Sequence, residues 1–456
     1  MKKVFVFASM MLAGCAEGTG IKGDGKTLNT IALQKAIDEC SLKGGGMISL
    51  PSGEYLTGTI HLKPNVCLNL EKGAILSGST DVADYPPHGE VGWRALIYAE
   101  KADNIEITGE GIITGNGFAF PQILNGGVRP MLIALFDCRN VRVNSVTMKD
   151  AGGGTFNFVH CDSVDIRKVS VVAHANWNND GFDIESRNVT ISDCTIDADD
   201  DAICLKSGDP DFVVENIRVE NCRLSSNCNF IKLGTQSFGG FRNVRISNCT
   251  LGKCSRSPFW KWHEMLPGVT DTITGIAGIA LEVVDGGFIE DVIISDIRMQ
   301  DVQTPVFIRL GKRHVSSRHS ASRLKDVLIE NITATSASFI ASSITGVPGL
   351  RVENITLRNI DLKLKGGGKL SDINLNVPEK ERDYPENRMF GMMLPAYGFY
   401  LRHADCILFD NVKLQTFGDR EERHAIVADD VTQLRINNSF LETPASNVPV
   451  VFSITN

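Results

Sequence analysis

Three consecutive carboxylates, Asp199, Asp200 and Asp201, run straight into an apolar stretch, Ala202-Ile203-Cys204-Leu205, which Lys206 closes. A short way upstream stands Asn178-Asn179-Asp180-Gly181-Phe182-Asp183. Adjacent carboxylates repel one another, and partial burial makes ionising all of them costlier. A fold keeps such a cluster chiefly where the chemistry needs carboxylates with separated pKa values, or where a metal sits on them. The plain alternative is an acidic turn on a solvated edge. The position of the run inside a repeating strand pattern argues against that alternative.

The elements that must position these residues form a degenerate repeat, Asn-Val-x-Ile-x-Asn-x-x-Leu. Copies start at Asn104, Asn140, Asn188, Asn216 and Asn243, later ones at Asp291, Asp326 and near Gly349, and weaker ones near Asp405 and Thr432. Central copies lie roughly 23–28 residues apart. Each holds two or three short strands in which apolar and polar residues alternate. Asn or Asp marks the turns between them, because these residues tolerate left-handed backbone and bond locally. One such unit cannot bury its apolar face alone, so coil must stack on coil. The period is too short for propeller blades, and leucine-rich repeats would carry helical segments. The expected fold is therefore all-β: a parallel β-helix of roughly ten coils, forming one domain over residues 20–456. An Asn ladder is expected along its turns.

Residues 27–40 predict an amphipathic helix that plugs the N-terminal end of the stack. Asn29 or Thr30 would cap it, Ile31, Leu33, Ala36 and Ile37 would form its apolar side, and Gly44-Gly45-Gly46 would stop it. Three insertions interrupt the repeat, at 255–274, 311–323 and 377–398. Loops of this kind on one side of a solenoid wall a groove. Trp260 in the first of them suits stacking against a sugar face; packing of the tryptophans on the solenoid is the equal alternative.

A net charge of −8 with no long basic run argues against nucleic acid and anionic membrane as partners. Residues 1–15 read as a targeting segment: Lys2 and Lys3, a short apolar core, then Leu12-Ala13-Gly14-Cys15, with Cys15 as a lipidation site. The alternative is a buried N-terminal strand, which the lack of a linker before Gly23 favours. The expectation is an exported bacterial monomer, periplasmic or lipid-anchored at the cell envelope. Twelve cysteines in an exported chain suggest disulfides. Cys194, Cys222 and Cys249, however, occupy one slot of successive repeats, which predicts a buried column of free thiols.

The motifs resemble the polygalacturonase family of pectin-degrading glycosidases, glycoside hydrolase family 28. Gly23-Asp24-Gly25-Lys26-Thr27 resembles its opening motif, residues 178–183 its Asn-Thr-Asp signature, and Asp199-Asp200-Asp201 with Lys206-Ser207-Gly208 its Gly-Asp-Asp signature. The resemblance implies a right-handed parallel β-helix and hydrolysis with inversion, without a metal or other cofactor. It implies Asp200 as general acid, with Asp180 and Asp201 holding and deprotonating water. Asn178 and Lys206 are implied at the substrate. The later signatures differ: Cys228 stands where the family has His, Ala280 where it has Arg, and Glu282 where it has Lys. An ionised Glu282 would repel a substrate carboxylate, so Arg309 or Arg402 at strand ends is the candidate replacement grip. The expected substrate is a galacturonate-containing pectic glycan, attacked from a chain end or in branched or oligomeric form. Two alternatives remain, a β-helical polysaccharide lyase and a glycan-binding solenoid without catalysis.

Overall fold

The computed structural model describes residues 20–89, 91–123, 127–256, 275–314, 322–391, 393–443 and 449–453. Cys15 and Trp260 lie outside the described residues. Every strand pairing between successive coils is parallel, and the chain winds as a right-handed parallel β-helix. Three faces result. One runs from Gly46–Leu50 through Val66–Leu70 and Asp103–Gly109 to Arg435–Asn437. A second runs from Gly53–Thr57 to Phe440–Leu441. The third, which carries the site, runs from Ile60–His61 to Val450–Ser453.

The alternating pattern explains the packing. Leu68, Ile107, Val143, Ile166, Ile191 and Val219 stand in register on successive coils and are buried. Each such side chain contributes about 1.5–3 kcal/mol by leaving water. The corners are single residues in left-handed backbone, such as Asn140 at φ 52° and Asn216 at φ 60°. Their amides form the expected ladder, Asn140 donating to Asn104 at 2.7 Å, Asn216 to Asn188 at 2.9 Å and Asn243 to Asn216 at 2.7 Å. A second ladder runs along the next corner, through Asn248, Asn221 and Asp193. Cys194, Cys222 and Cys249 are buried and free, with Cys222 in contact with the other two, and Cys138 and Cys161 form a separate buried pair of free thiols.

Two expectations need correction. The stack holds more coils than the ten repeat copies, with additional rungs beginning at Gly46, Val66 and Asp162. At the last of these, Ser163 takes the left-handed corner (φ 63°) where the repeat places Asn. The capping helix spans Thr30–Leu42 with Asn29 as N-cap, and it buries Leu33, Ala36 and Ile37, whereas Ile31 is 86% exposed. The Asn29 side chain ties Lys22 to the helix start by bonding its backbone N–H and carbonyl, instead of capping the helix.

Candidate active site

The site lies on the outer face of the third sheet. Outward residues of successive strands stand in register: Tyr98, Ala134, Asn157, Asp183, Cys204 and Lys232. Asp180, Asp200 and Asp201 occupy the tight turns that enter Phe182–Ser192 and Ile203–Ser207. Backbone bonds lock one turn on the next, Gly181 N–H donating to the Asp201 carbonyl at 2.8 Å and Thr155 N–H to the Asp180 carbonyl at 3.0 Å. A side chain at Gly181 would meet the Ala202 carbonyl at 2.4 Å, so only glycine fits between them. Asn179 braces the upper turn, accepting from Ala175 and Asn176 N–H and donating to the Ala151 and Gly153 carbonyls.

Together these groups line a groove of about 870 Å³ that contains Asn178, Asp180, Asp183, Asp200, Asp201 and Lys206. Burial and the neighbouring Asp180 and Asp201 charges push Asp200 well above the usual carboxylate range. Burial would raise Asp201 as well, but the Lys232 ammonium and the Asn229 amide outweigh it and hold Asp201 low. Lys232 Nζ is 2.9 Å from Asp201 Oδ2, and Asn229 donates to Oδ1 at 2.8 Å. Burial and Asp183 raise Asp180, while Lys206 reaches both carboxylates, at 3.3 Å and 2.8 Å. Asn178, in left-handed backbone, extends its amide to Asp200 at 3.4 Å and accepts from Arg129 at 3.0 Å.

The first aspartate of the triplet does different work. Asp199 is buried and engaged by Asn227 at 2.8 Å and by His174 at 3.6 Å. His174 also meets Asp197 at 2.9 Å. Among the described residues, two groups bring three possible metal ligands together: His174, Asp197 and Cys254, and Asp200, Asp201 and Cys228. In the first, the histidine is already bonded by carboxylates; in the second, Lys232 neutralises Asp201.

Several expected substrate contacts are placed elsewhere. Glu282 is 1% exposed, and burial pushes its carboxyl up to about 8, so at neutral pH it is largely protonated and does not project a repelling charge into the groove. Arg309 is also buried and donates to the Gly346, Glu379 and Lys380 carbonyls. Arg402 bonds the Val377 carbonyl and pairs with Glu379 and Asp429. Both arginines are therefore spent on holding residues 377–380 against the solenoid. Cys228 is buried beside Asp200 and Asp201, with its thiol raised by burial, and lies behind the carboxylates. The residue that sequence reasoning missed is Lys232. Its signal was its place on a strand of the repeat, one rung from the Asp-bearing strand.

The clamped segment lines one end of the groove through Tyr384. Tyr384 sets its hydroxyl 3.3 Å from Lys232 Nζ, and Arg313 lies over the Tyr384 ring. Beyond it, outward-facing Ala280, Phe307 and Tyr400 are buried under Val377, Met389, Phe390 and Leu394. The opposite, N-terminal end is lined by Trp93, Met131 and Phe136.

Comparison with known proteins agrees with this geometry. Residues 40–257 match the model of Glycosyl hydrolases family 28. An exopolygalacturonase of Zea mays is 25% identical over 365 residues, covering 76% of this chain and 82% of its own. Polygalacturonase-2 of Solanum lycopersicum is 25% identical over 367 residues, covering 76% and 74%. The crystal structure of a hyperthermoactive exopolygalacturonase from Thermotoga maritima shares the fold, with a TM-score of 0.64 at 22% identity, covering 76% of this chain and 85% of that one. The chain is a glycoside hydrolase, and the similarity to family 28 lies in residues 40–257.

Proposed function

We propose that this hydrolase cleaves galacturonate-containing glycans with inversion, working from a chain end. The observation that carries the reading is the opposite perturbation of two sequence neighbours, Asp200 raised and Asp201 lowered, in one groove. That is the division of labour an acid and a base require. Asp200 gives its proton to the leaving glycosidic oxygen as the bond to the anomeric carbon breaks. A water attacks that carbon from the opposite face and passes its proton to Asp201. Inverting enzymes commonly hold the two carboxyl groups roughly 6.5–9.5 Å apart; here carboxylate oxygens of Asp200 and Asp201 lie within 4.8 Å of each other, so the anomeric configuration of the product is the decisive test of inversion. Asp180, held by Lys206, orients that water.

Relatives named as exopolygalacturonases support the substrate class. The packing of Phe390 and Met389 over the outer face beyond Lys232 supports end-wise attack. Proton NMR of the first products from oligogalacturonates tests the mechanism: the newly formed reducing end is expected with inverted anomeric configuration. A retained configuration would overturn it, and products absorbing in the ultraviolet, as unsaturated uronates do, would show a lyase instead.

A further inference from the structure

The N-terminal arm of the groove differs in chemistry from the carboxylate centre. One rung before Asp183, Asn157 stands on the floor, 5% exposed, and its Nδ2 has no hydrogen-bond partner. A buried donor left unpaired costs about 1–3 kcal/mol, a cost that a ligand oxygen would remove. The next outward residues are Ala134 and then Tyr98. Beside them Phe136 lies 5.4 Å from Trp93 and 5.6 Å from Tyr98. Behind Tyr98 the rings continue, His88 stacked at 4.3 Å and His61 a further 4.6 Å on.

The charged groups near this arm are committed elsewhere. Arg129 donates to Asn178 and to the Trp177 carbonyl. Glu100 is held by the Tyr98 hydroxyl and by Lys101. His160 sits among Asp137, Glu185 and Asp209. Burial lowers His61 and His88, which are therefore neutral at neutral pH. Flat aromatic faces and one free amide donor suit the C–H face and a hydroxyl of an uncharged sugar, and they offer no counter-ion to a carboxylate.

We infer that Trp93, Phe136 and Asn157 form a binding subsite for a neutral hexopyranose unit of the glycan, one to three rungs N-terminal of the carboxylates. With rungs about 4.8 Å apart, the subsite lies within a few sugar units of the bond that is cut. This deepens the reading above and rests on it for the identity of the chain in the groove.

Calorimetric titration of the full-length protein with a galactose tetramer and with tetragalacturonate tests the subsite directly, without turnover as the readout. The neutral tetramer is expected to bind. Trp93→Ala should weaken it by about tenfold or more, and Asn157→Ala by about five- to tenfold. Asn157→Ala is also expected to melt no lower than the wild type, because its Nδ2 makes no internal bond, whereas a structural asparagine would cost stability. Failure of the neutral tetramer to bind, or equal binding by both variants, overturns the subsite. If the tetramer binds but no glycan is hydrolysed, the hydrolase reading fails while the subsite stands.

Discussion

Asp200 and Asp201 are neighbours in the chain, yet their surroundings drive their protons in opposite directions. Asp200→Asn removes the proton donor at unchanged size, so kcat should fall by about 10²–10⁴-fold while substrate binding persists. Single-turnover kinetics with calorimetry separates the two. Lys232 gives a sharper test, because it holds Asp201 low. A base must be ionised, so activity fades as pH falls through the Asp201 pKa. Lys232→Met removes the ammonium, raises that pKa and should move the acidic limb of the kcat/KM profile to higher pH; Lys232→Arg should move it back. The same linkage acts on stability. A depressed carboxylate contributes stability that is present above its unfolded value and is lost as pH falls through its folded value. Lys232→Met also leaves Asp201 buried without its partner and should cost about 3–5 kcal/mol, read from denaturant midpoints at neutral pH.

The aspartates were legible because the run lies inside the repeating strand pattern and, with residues 178–183, resembles the family 28 signatures. Lys232 was not, since a lysine on a strand reads equally as a solvated outward residue. Arg309 misled for the matching reason. An arginine at the end of an outward-facing strand looks the same from the sequence whether it meets a ligand or a returning loop.

Among elements, the corners and columns were the most legible, because one residue type at one slot carries the physics. Asn in left-handed backbone builds the ladders, and Cys at one repeat slot builds the buried thiol column. A thiol titration of protein denatured without reductant should therefore find Cys138, Cys161, Cys194, Cys222 and Cys249 reduced; recovery of oxidised pairs would contradict the column. The coils at Gly46, Val66 and Asp162 were less legible, and at Asp162 the corner is a serine that carries no ladder amide. The role of the 377–384 segment depended on long-range return of the chain. Arg309 reaches residues 379 and 380, about seventy positions on, with bonds of 2.7 and 3.0 Å. Arg309→Met should release this segment. Each charge-assisted bond lost is worth roughly 1.5–3 kcal/mol, so limited proteolysis should cut within 377–391 at protease levels that leave the wild type intact.

At the scale of the whole molecule, the groove lies along one face of a solenoid. Its floor is a register of outward side chains, its centre is carboxylate and ammonium, and its C-terminal end is roofed by the inserted segment. A polymer cut in its interior must lie on both sides of the carboxylates. Here the outer face past Lys232 is occupied by Ala280, Phe307 and Tyr400 packed beneath Val377, Met389 and Phe390, the cover on which the proposal of end-wise attack rests. The solenoid cannot open this end by hinge motion without parting the clamp of Arg309 and Arg402. On long polygalacturonate, reducing ends should therefore rise steadily while viscosity changes little, and chromatography should show one small product from the start. Rapid viscosity loss with a spread of intermediate lengths would mean internal cleavage, and the covered end would then be wrong as an account of action on polymers. The Arg309→Met variant sharpens the test: if the clamped segment is what enforces end-wise attack, viscosity should fall faster per bond cut in that variant than in the wild type.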